Sequence, residues 1–332
     1  MDNPLLGEVS QVSSNVFEQI RKACQEVAEQ AAYIKINYDQ IDAYAASLTV
    51  EEPIAAVLDP NSHYLDCEED TVAFLLTLDS INFGSGFFPC LRKRPGMSGY
   101  FTIASSLKDY YKTHGPLPAQ KLAAITLETC FKIFNQDPAD DTIRILMQHF
   151  TAALNDLGRY ILDAFNGDFL RLVKAAQSSA DSFVCLLTKM RYFKDVAAYK
   201  GSEVPFYKRA QISVADLHVA FKGQGWGQFD DFDQLTIFAD NLVPHVLRVD
   251  NVLQYEEALI SRIDSGELIA AGSDEEVEIR ACAVHAVELL KNELQRQRHE
   301  ITSAELDYLL WNRGQQPFYK AIPRHRTRTV YY

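Results

Sequence analysis

The chain has 332 residues, of which 47% are hydrophobic and 23% are charged, proportions that are typical of a folded globular protein and argue against disorder. The net charge of −13 disfavours a surface that binds a nucleic-acid duplex, because phosphate contacts dominate the affinity of such surfaces. None of the six cysteines forms a C-x-x-C pair, so we predict reduced thiols and no bound metal.

The start of the chain and its apolar runs bear on location. Residues 1–4 carry no basic segment, and no apolar signal region follows them. The longest apolar runs, such as residues 72–76, are far shorter than the roughly 18 residues that a membrane span needs. We therefore expect a soluble, cytoplasmic protein without a membrane partner.

Apolar periodicity predicts a mostly helical chain. Hydrophobic residues recur every three or four positions from Val12 to Ile34, which marks one face of a first helix. Gly167 is the expected cap at the end of a long periodic segment. The predicted helices that follow the first one cover residues 69–82, 100–112, 141–165, 179–190 and 206–221.

Two capping boxes predict the starts of two later helices. In each box a hydroxyl and a carboxylate three residues further on satisfy free N–H groups at the helix start. Ser273 with Glu276 begins one of these helices, and Thr302 with Glu305 begins the other, which ends before Gly314.

Strand signals are weak. The best candidates are residues 33–36 and 330–332, and a short hairpin is predicted near residues 83–103. The pattern therefore predicts a mainly α fold with at most a small β element. We expect a single domain over residues 1–332, and an arrangement of two helical lobes around a central cleft stays open.

Known cofactor and metal motifs are missing from the sequence. It contains no phosphate-binding loop, no G-x-G-x-x-G and no G-x-S-x-G, so no cofactor is predicted. Glu278, Cys282 and His285 would share one helix face, but an ordinary core stripe has the same spacing, and we favour the core interpretation. We predict that Glu278 and Arg280 form an ion pair that holds the helices of a pocket.

Several blocks combine apolar residues with a few acids, bases and aromatics. Such a composition suits a pocket for a flat polar ring and a phosphate. In chain order the blocks are residues 78–84, 98–100, 205–211, 235–240, 274–280, 306–312 and 330–332.

These blocks, in this order, resemble the queuosine salvage proteins, and the resemblance covers roughly residues 60–332. It implies hydrolysis of the N-glycosidic bond of queuosine 5'-phosphate, which releases queuine and ribose 5-phosphate for salvage into tRNA modification. It also implies a helical fold reminiscent of helical DNA glycosylases. The expected partners are this small nucleotide and its product, with no stable nucleic-acid complex.

Asp240 is the candidate catalytic residue. Breaking a nucleoside C–N bond develops positive charge on the ribose, so the reaction needs a carboxylate near C1'. Asp240 follows an apolar run, which places it at the mouth of buried structure. The resemblance implies that it acts as the nucleophile or stabilises the oxocarbenium-like transition state. The alternative from the residues alone is a helix cap ahead of Pro244.

Lys208 is the candidate phosphate contact. It follows two aromatic residues at a predicted helix start, where the helix amides add positive potential that suits a compact dianion. The resemblance places it near the ribose 5'-phosphate, and a surface lysine is the alternative. Two basic clusters, residues 92–94 and 324–328, are each large enough to meet one phosphate monoester, or they are solvated surface.

The remaining candidates would bind the base. A guanine-like edge presents two adjacent N–H donors, which a carboxylate such as Asp307 accepts well. Phe238 and Tyr308 are predicted to pack on the ring, and Asn312 to contact the cyclopentenediol arm of the substrate. Three further pocket candidates are His63, Asn82 and Phe83.

Two other functions stay open at this point. A non-catalytic protein that binds a deazaguanine would need the same aromatic and acidic pocket. Such a protein should tolerate Asp240→Asn, whereas a glycosylase should not. An enzyme that acts on damaged DNA is disfavoured by the net charge of −13.

Overall fold

A computed structural model of the chain describes residues 15–48 and 56–332. Val12, with which the first predicted helix face begins, and residues 1–4 lie outside these ranges. The helices within these ranges are α1 Val16–Gln30, α2 Tyr38–Ser47, α3 Glu68–Ser80, α4 Gly99–His114, α5 Ala119–Ala123, α6 Leu127–Phe134, α7 Asp141–Phe165, α8 Phe169–Ala175, α9 Ala180–Leu187, α10 Lys208–Ala220, α11 Val243–Val249, α12 Glu257–Asp264, α13 Asp274–Arg296, α14 Ser303–Gly314 and α15 Pro317–Ala321. The strands are β1 Ile34–Ile36, β2 Val196–Tyr199, β3 Ser202–Pro205 and β4 Leu253–Tyr255.

The mainly α prediction is confirmed, and the β structure consists of two small antiparallel pairs. Strand β1 pairs with β4, with Ile34 opposite Tyr255. Strands β2 and β3 form a hairpin whose two turn residues, Lys200 and Gly201, both have positive φ, as a tight two-residue turn requires.

Helix ends follow the local chemistry of the sequence. Asp140 accepts the N–H of Ile143 and begins α7, which ends at Asn166 in the left-handed conformation, directly before the predicted cap Gly167. Thr302 and Glu305 form the predicted capping box of α14. The other box is only half formed, because the Glu276 carboxylate accepts the N–H of Gly272 instead of that of the cap residue.

Helices α3 and α13 are the central helices of the core. Ten consecutive residues of α3, from 71 to 80, are buried, and so is almost every residue of α13 between 276 and 287. A helix that is buried on all sides lies inside the protein. Helix α13 packs against α1, α2 and α14, and α10 packs against α3. The buried hydrophobic residues form one continuous cluster, and the assignment of a single domain stays a prediction.

Two strand predictions are wrong. Residues 83–98 form a series of turns, in which the ring of Phe88 packs so closely on Gly99 that a Cβ there would lie 2.3 Å from it. Residues 330–332 are extended but pair with no strand. Their carbonyl groups are used singly, because Arg209 donates to Val330 at 2.9 Å and the N–H of Gly84 donates to Tyr332 at 2.9 Å.

Candidate active site

A large cavity lies between α4, α10, α14 and the segments around residues 59–63, 238–242 and 322–326. Its volume is about 1140 Å³. Ligand pockets of proteins usually measure about 300–1,000 Å³, so the cavity has room for a modified nucleotide.

Asp240 lies in the turn that precedes α11 and lines the cavity. Its Oδ1 accepts the N–H groups of Leu242 at 2.7 Å and Val243 at 3.2 Å. Its Oδ2 makes no hydrogen bond to the residues that the structure describes. The side chain therefore holds the start of α11 with one oxygen and leaves the other for a ligand.

A buried ion pair holds the backbone next to Asp240 and at Lys208. Arg280 donates to both oxygens of Asp195, at 3.0 and 2.6 Å, and its Nε donates to the carbonyl of Ala239 at 3.0 Å, next to Asp240. Asp195 Oδ2 also accepts the backbone N–H of Lys208 at 3.2 Å. Burial opposes the charge of Arg280, but the nearby carboxylates more than compensate and raise its pKa.

The predicted pair of Glu278 with Arg280 is therefore wrong. The two side chains are two positions apart on α13 and point to different sides of it. The Glu278 carboxylate accepts the N–H groups of residues 32–34, at 2.7–3.1 Å, and the hydroxyl of Tyr199 at 2.8 Å. It fixes the entry to β1 and leaves the cavity to other residues.

Lys208, Asp240 and Asp307 form one electrostatic cluster. Burial lowers the pKa of Lys208, and the carboxylates of Asp240 and Asp307 oppose that shift. Burial raises the pKa of Asp307 well above its usual range, and the charge of Asp240 raises it further. The N–H of Phe238, which Asp307 Oδ1 accepts at 2.8 Å, acts in the opposite direction, as does Lys208.

The predicted ring-binding residues line the same cavity. Phe238 and Tyr308 are half-buried, and Trp311 follows Asp307 by one helical turn on α14. On the opposite wall, His63 lies 2.8 Å from the hydroxyl of Tyr100, measured from Nε2. The structure also brings Asn82 and Phe83 to the cavity, although Phe83 is almost fully buried and packs against Arg209.

Asn312 lies elsewhere. It is exposed and lines a second depression together with Ser47 and Phe318. Five residues separate it from Asp307, which turns its side chain by about 140° on an α-helix. The structure therefore does not bring Asn312 to the cavity.

Sequence reasoning missed several residues of the cavity region. Asp216 lines the cavity on α10, two turns after Lys208, and the fully buried Asp79 lies behind it. An acid in the stripe formed by Lys208, Ile212 and Asp216 is the signal that would have found the first of them. Of the two basic clusters, Lys93, Arg324 and Arg326 reach the cavity, and within the described residues none of the three forms an ion pair.

Metal sites and membrane spans were also sought. Within residues 15–48 and 56–332, no three His, Cys, Asp or Glu side chains are grouped so as to hold a metal ion. Across the same part of the chain, no helix combines the length and the apolar character that crossing a membrane requires.

Comparison with known proteins identifies a family. The family described as Queuosine salvage protein matches residues 62–332 of the chain. The chain belongs to the queuosine salvage protein family. The matched region contains every cavity residue discussed above except Asp59 and its immediate neighbours, so the family assignment and the cavity concern the same part of the molecule.

Three curated relatives of the chain bear the name queuosine 5'-phosphate N-glycosylase/hydrolase. The protein from Sphaerobacter thermophilus is 36% identical over 313 residues, which are 93% of this chain and 96% of the relative. The protein from Dictyostelium discoideum is 32% identical over 96% of this chain and 100% of its own length. The protein from Mus musculus is 32% identical over 80% of this chain and 83% of its own length.

Proposed function

We propose that this protein hydrolyses the N-glycosidic bond of queuosine 5'-phosphate and releases queuine and ribose 5-phosphate, for salvage into tRNA modification. Relatives that match nearly the whole chain carry the name of this activity. The observation on which the proposal depends is the cluster of Asp240, Lys208 and Asp307 at one wall of a nucleotide-sized cavity.

Asp240 is the proposed catalytic residue, and its role follows from where charge develops. As the bond between C1' and the base breaks, its electron pair moves to the base and the ribose gains positive charge. The free Oδ2 of Asp240 would stabilise this charge or form a transient bond to C1'. Water then supplies the hydroxyl group at C1', and the departing base takes up a proton. Hydrogen bonds from Leu242 and Val243 hold the carboxylate in place before the reaction, so no reorganisation is needed.

Asp307 is the proposed reader of the base edge. Its raised pKa favours the protonated form in the empty cavity, whereas the two N–H donors of a guanine-like edge favour the carboxylate. Base binding would therefore release a proton from Asp307. Asp307 also accepts the backbone N–H of Phe238, which holds the Phe238 ring at the cavity wall. Phe238 and Tyr308 would pack against the base, with His63, Asn82 and Phe83 completing the pocket.

Lys208 is the proposed contact of the 5'-phosphate. Its charge already interacts with Asp240 and Asp307, so a dianion would need further cations. Arg324, on which the charge of Asp240 also acts, and the exposed Lys93 are two of the cavity cations that fit this need.

Mass spectrometry of the protein incubated with queuosine 5'-phosphate and, separately, with queuosine tests the proposal. We expect queuine from the nucleotide and much less from the nucleoside. Release from both at equal rates would keep the reaction and remove the phosphate role of Lys208. Release from neither would refute the proposed hydrolysis.

Asp240→Asn separates the glycosylase from a protein that only binds the base. We expect turnover to fall by at least a factor of about 10³, by analogy with the loss of one transition-state contact, while queuine binding persists. Full activity of Asp240→Asn would refute the catalytic assignment.

The six unpaired thiols support a cytosolic location, and cell fractionation would test it. A band shift with DNA at low salt would contradict the expectation that no nucleic acid is bound.

A further inference from the structure

A second pair of carboxyl groups lies at the cavity wall, with Asp216 facing the cavity and Asp79 behind it. Asp79 on α3 is fully buried, and its carboxyl group lies close to the side chains of Ser213 and Asp216 on α10. Asp216 on α10 lies within hydrogen-bonding reach of Asp79 and faces the cavity. Two acids placed side by side at a buried position are costly to ionise, so this pair needs an explanation.

The neighbouring cation Arg209 does not neutralise the two carboxyl groups by hydrogen bonding. The guanidinium of Arg209 donates to the backbone carbonyls of Asp79 at 3.1 Å, Ser80 at 2.5 Å and Val330 at 2.9 Å, and also to that of Tyr192. Its donors are therefore used before they could reach the Asp79 carboxyl.

Lys208 and Tyr100 also lie near the two carboxyl groups. Lys208 on α10 contributes charge, but it lies two helical turns from Asp216, roughly 12 Å along the helix axis. From α4 the pair faces the hydroxyl of Tyr100, which is itself in contact with His63. Burial and the charge of Asp216 raise the pKa of Asp79 well above its usual range, and burial raises the pKa of Asp216 to about 7, so at neutral pH the pair carries at most about one negative charge.

We propose that Asp216, backed by Asp79, binds the secondary ammonium group in the arm of the substrate. This proposal rests on the proposed function, because that substrate supplies the amine. A secondary ammonium carries one positive charge and two N–H donors, which match the negative charge of the pair and the carboxylate of Asp216 at the cavity wall. The arm leaves the five-membered ring on the side opposite the guanine-like edge. A base held at Asp307 therefore directs the arm away from that residue.

The other cavity acids are less suited to this role. Glu305 is occupied by the N–H and hydroxyl of Thr302, and Asp59 is occupied by Asn61 and Ser62. Asp264 is exposed to solvent, which weakens any ion pair that it forms. Asn312, which sequence analysis assigned to the arm, lies outside the cavity.

The test compares two substrates and two variants. Queuosine 5'-phosphate carries the amine, and 7-deazaguanosine 5'-phosphate has the same base edge, ribose and phosphate without the arm. Asp216→Asn keeps the shape and removes the charge. Asp163→Asn makes the same change at an exposed position of α7 outside the cavity and is the matched control.

We expect Asp216→Asn to raise KM for the amine-bearing substrate by roughly 10- to 100-fold, the usual worth of a hydrogen bond to a charged group. KM for the armless substrate and kcat for both should change by less than about threefold. Acetylating the arm amine should impair the wild type and remove the difference between it and Asp216→Asn. The melting temperature of Asp216→Asn should not fall, because its amide donates to Asp79.

Two results would overturn the proposal. An equal loss of kcat on both substrates would assign the pair to the chemical step, and unchanged kinetics on both would assign it no role in recognition. If the wild type does not cleave queuosine 5'-phosphate, the proposed function fails separately. Calorimetry of queuine and of 7-deazaguanine binding to the wild type and Asp216→Asn then still tests amine recognition, since only queuine affinity should fall.

Discussion

Asp195→Asn should destabilise the protein by breaking its most buried ion pair. The side chains of Asp195 and Arg280 are 3% and 2% exposed, so the variant leaves a guanidinium charge away from water. Removing one partner of a buried pair costs about 3–5 kcal/mol. Glu276, at 3.8 Å from Arg280, retains part of the attraction, so we expect the lower end of that range, about 3 kcal/mol.

The expected change in melting temperature follows from chain length. Unfolding entropy is about 2.1 cal/mol/K per residue, or roughly 0.7 kcal/mol/K for 332 residues, so about 3 kcal/mol lowers Tm by about 4 °C. Thermal unfolding followed by circular dichroism measures it. Asp109→Asn is the matched control, because it breaks an Arg–Asp pair of 2.7 Å in which both partners are partly exposed. Such pairs contribute about 0–1 kcal/mol, so its Tm should fall by at most about 1.5 °C.

The same variant should also reduce activity well below its Tm. Asp195 holds the N–H of Lys208, and Arg280 holds the carbonyl next to Asp240, so the loss of one partner displaces both functional residues. We expect kcat/KM to fall by about tenfold or more, since small misplacements of reacting groups are costly. A Tm loss no larger than that of Asp109→Asn, with unchanged kcat/KM, would refute the positioning argument.

Three further predictions concern stability. Glu278→Gln should lower the free energy of unfolding by about 2–3 kcal/mol, because an amide cannot accept all the bonds that the carboxylate receives, including that of Tyr199; chemical denaturation measures this. Gly158→Ala should cost about 1–3 kcal/mol or more, because its Cβ would lie 2.2 Å from the backbone nitrogen of Ala123, and a wild-type denaturation midpoint would contradict it. Burial raises the pKa of Asp216 from 3.8 to about 7, so the folded state binds this proton more tightly than the unfolded chain does. The free energy of unfolding should therefore fall as pH rises between these two values. Tm measured as a function of pH should change less over this range in Asp216→Asn than in the wild type.

Helices were predictable where the sequence marks both ends. The segment 141–165 was predicted with the bounds that α7 has, because its apolar residues recur at helical spacing and Gly167 follows as a cap. The hairpin of β2 and β3 was missed, because Val196 to Ala198 shows no alternation and a Lys-Gly turn is a weak hairpin signal. The strand predicted at residues 330–332 has β-forming residues but pairs with no other strand in the described part of the chain. The ring of Tyr332 packs on Arg280 and the carbonyl of Val330 accepts from Arg209, so neither residue joins a ladder.

The cavity was predictable only in part from sequence. Eight of the nine proposed site residues line the cavity. The ninth, Asn312, does not, because it is turned by about 140° from Asp307 on the same helix. Asp195 and Arg280 are far apart in the chain, so no local pattern announces their pairing. Asp79 and Asp216 are a similar case, since only the packing of α3 on α10 brings the two carboxyl groups together.

The contacts of Arg209 have a consequence for the order in which the molecule folds. Its guanidinium binds carbonyl groups that are 130 and 121 residues away in the two directions along the chain. Helices form from local contacts within microseconds, whereas contacts of such long range slow folding. A refolding chain should therefore regain its far-ultraviolet signal before it regains affinity for ligand. The time between the two events would measure how long the distant segments take to meet at this one side chain.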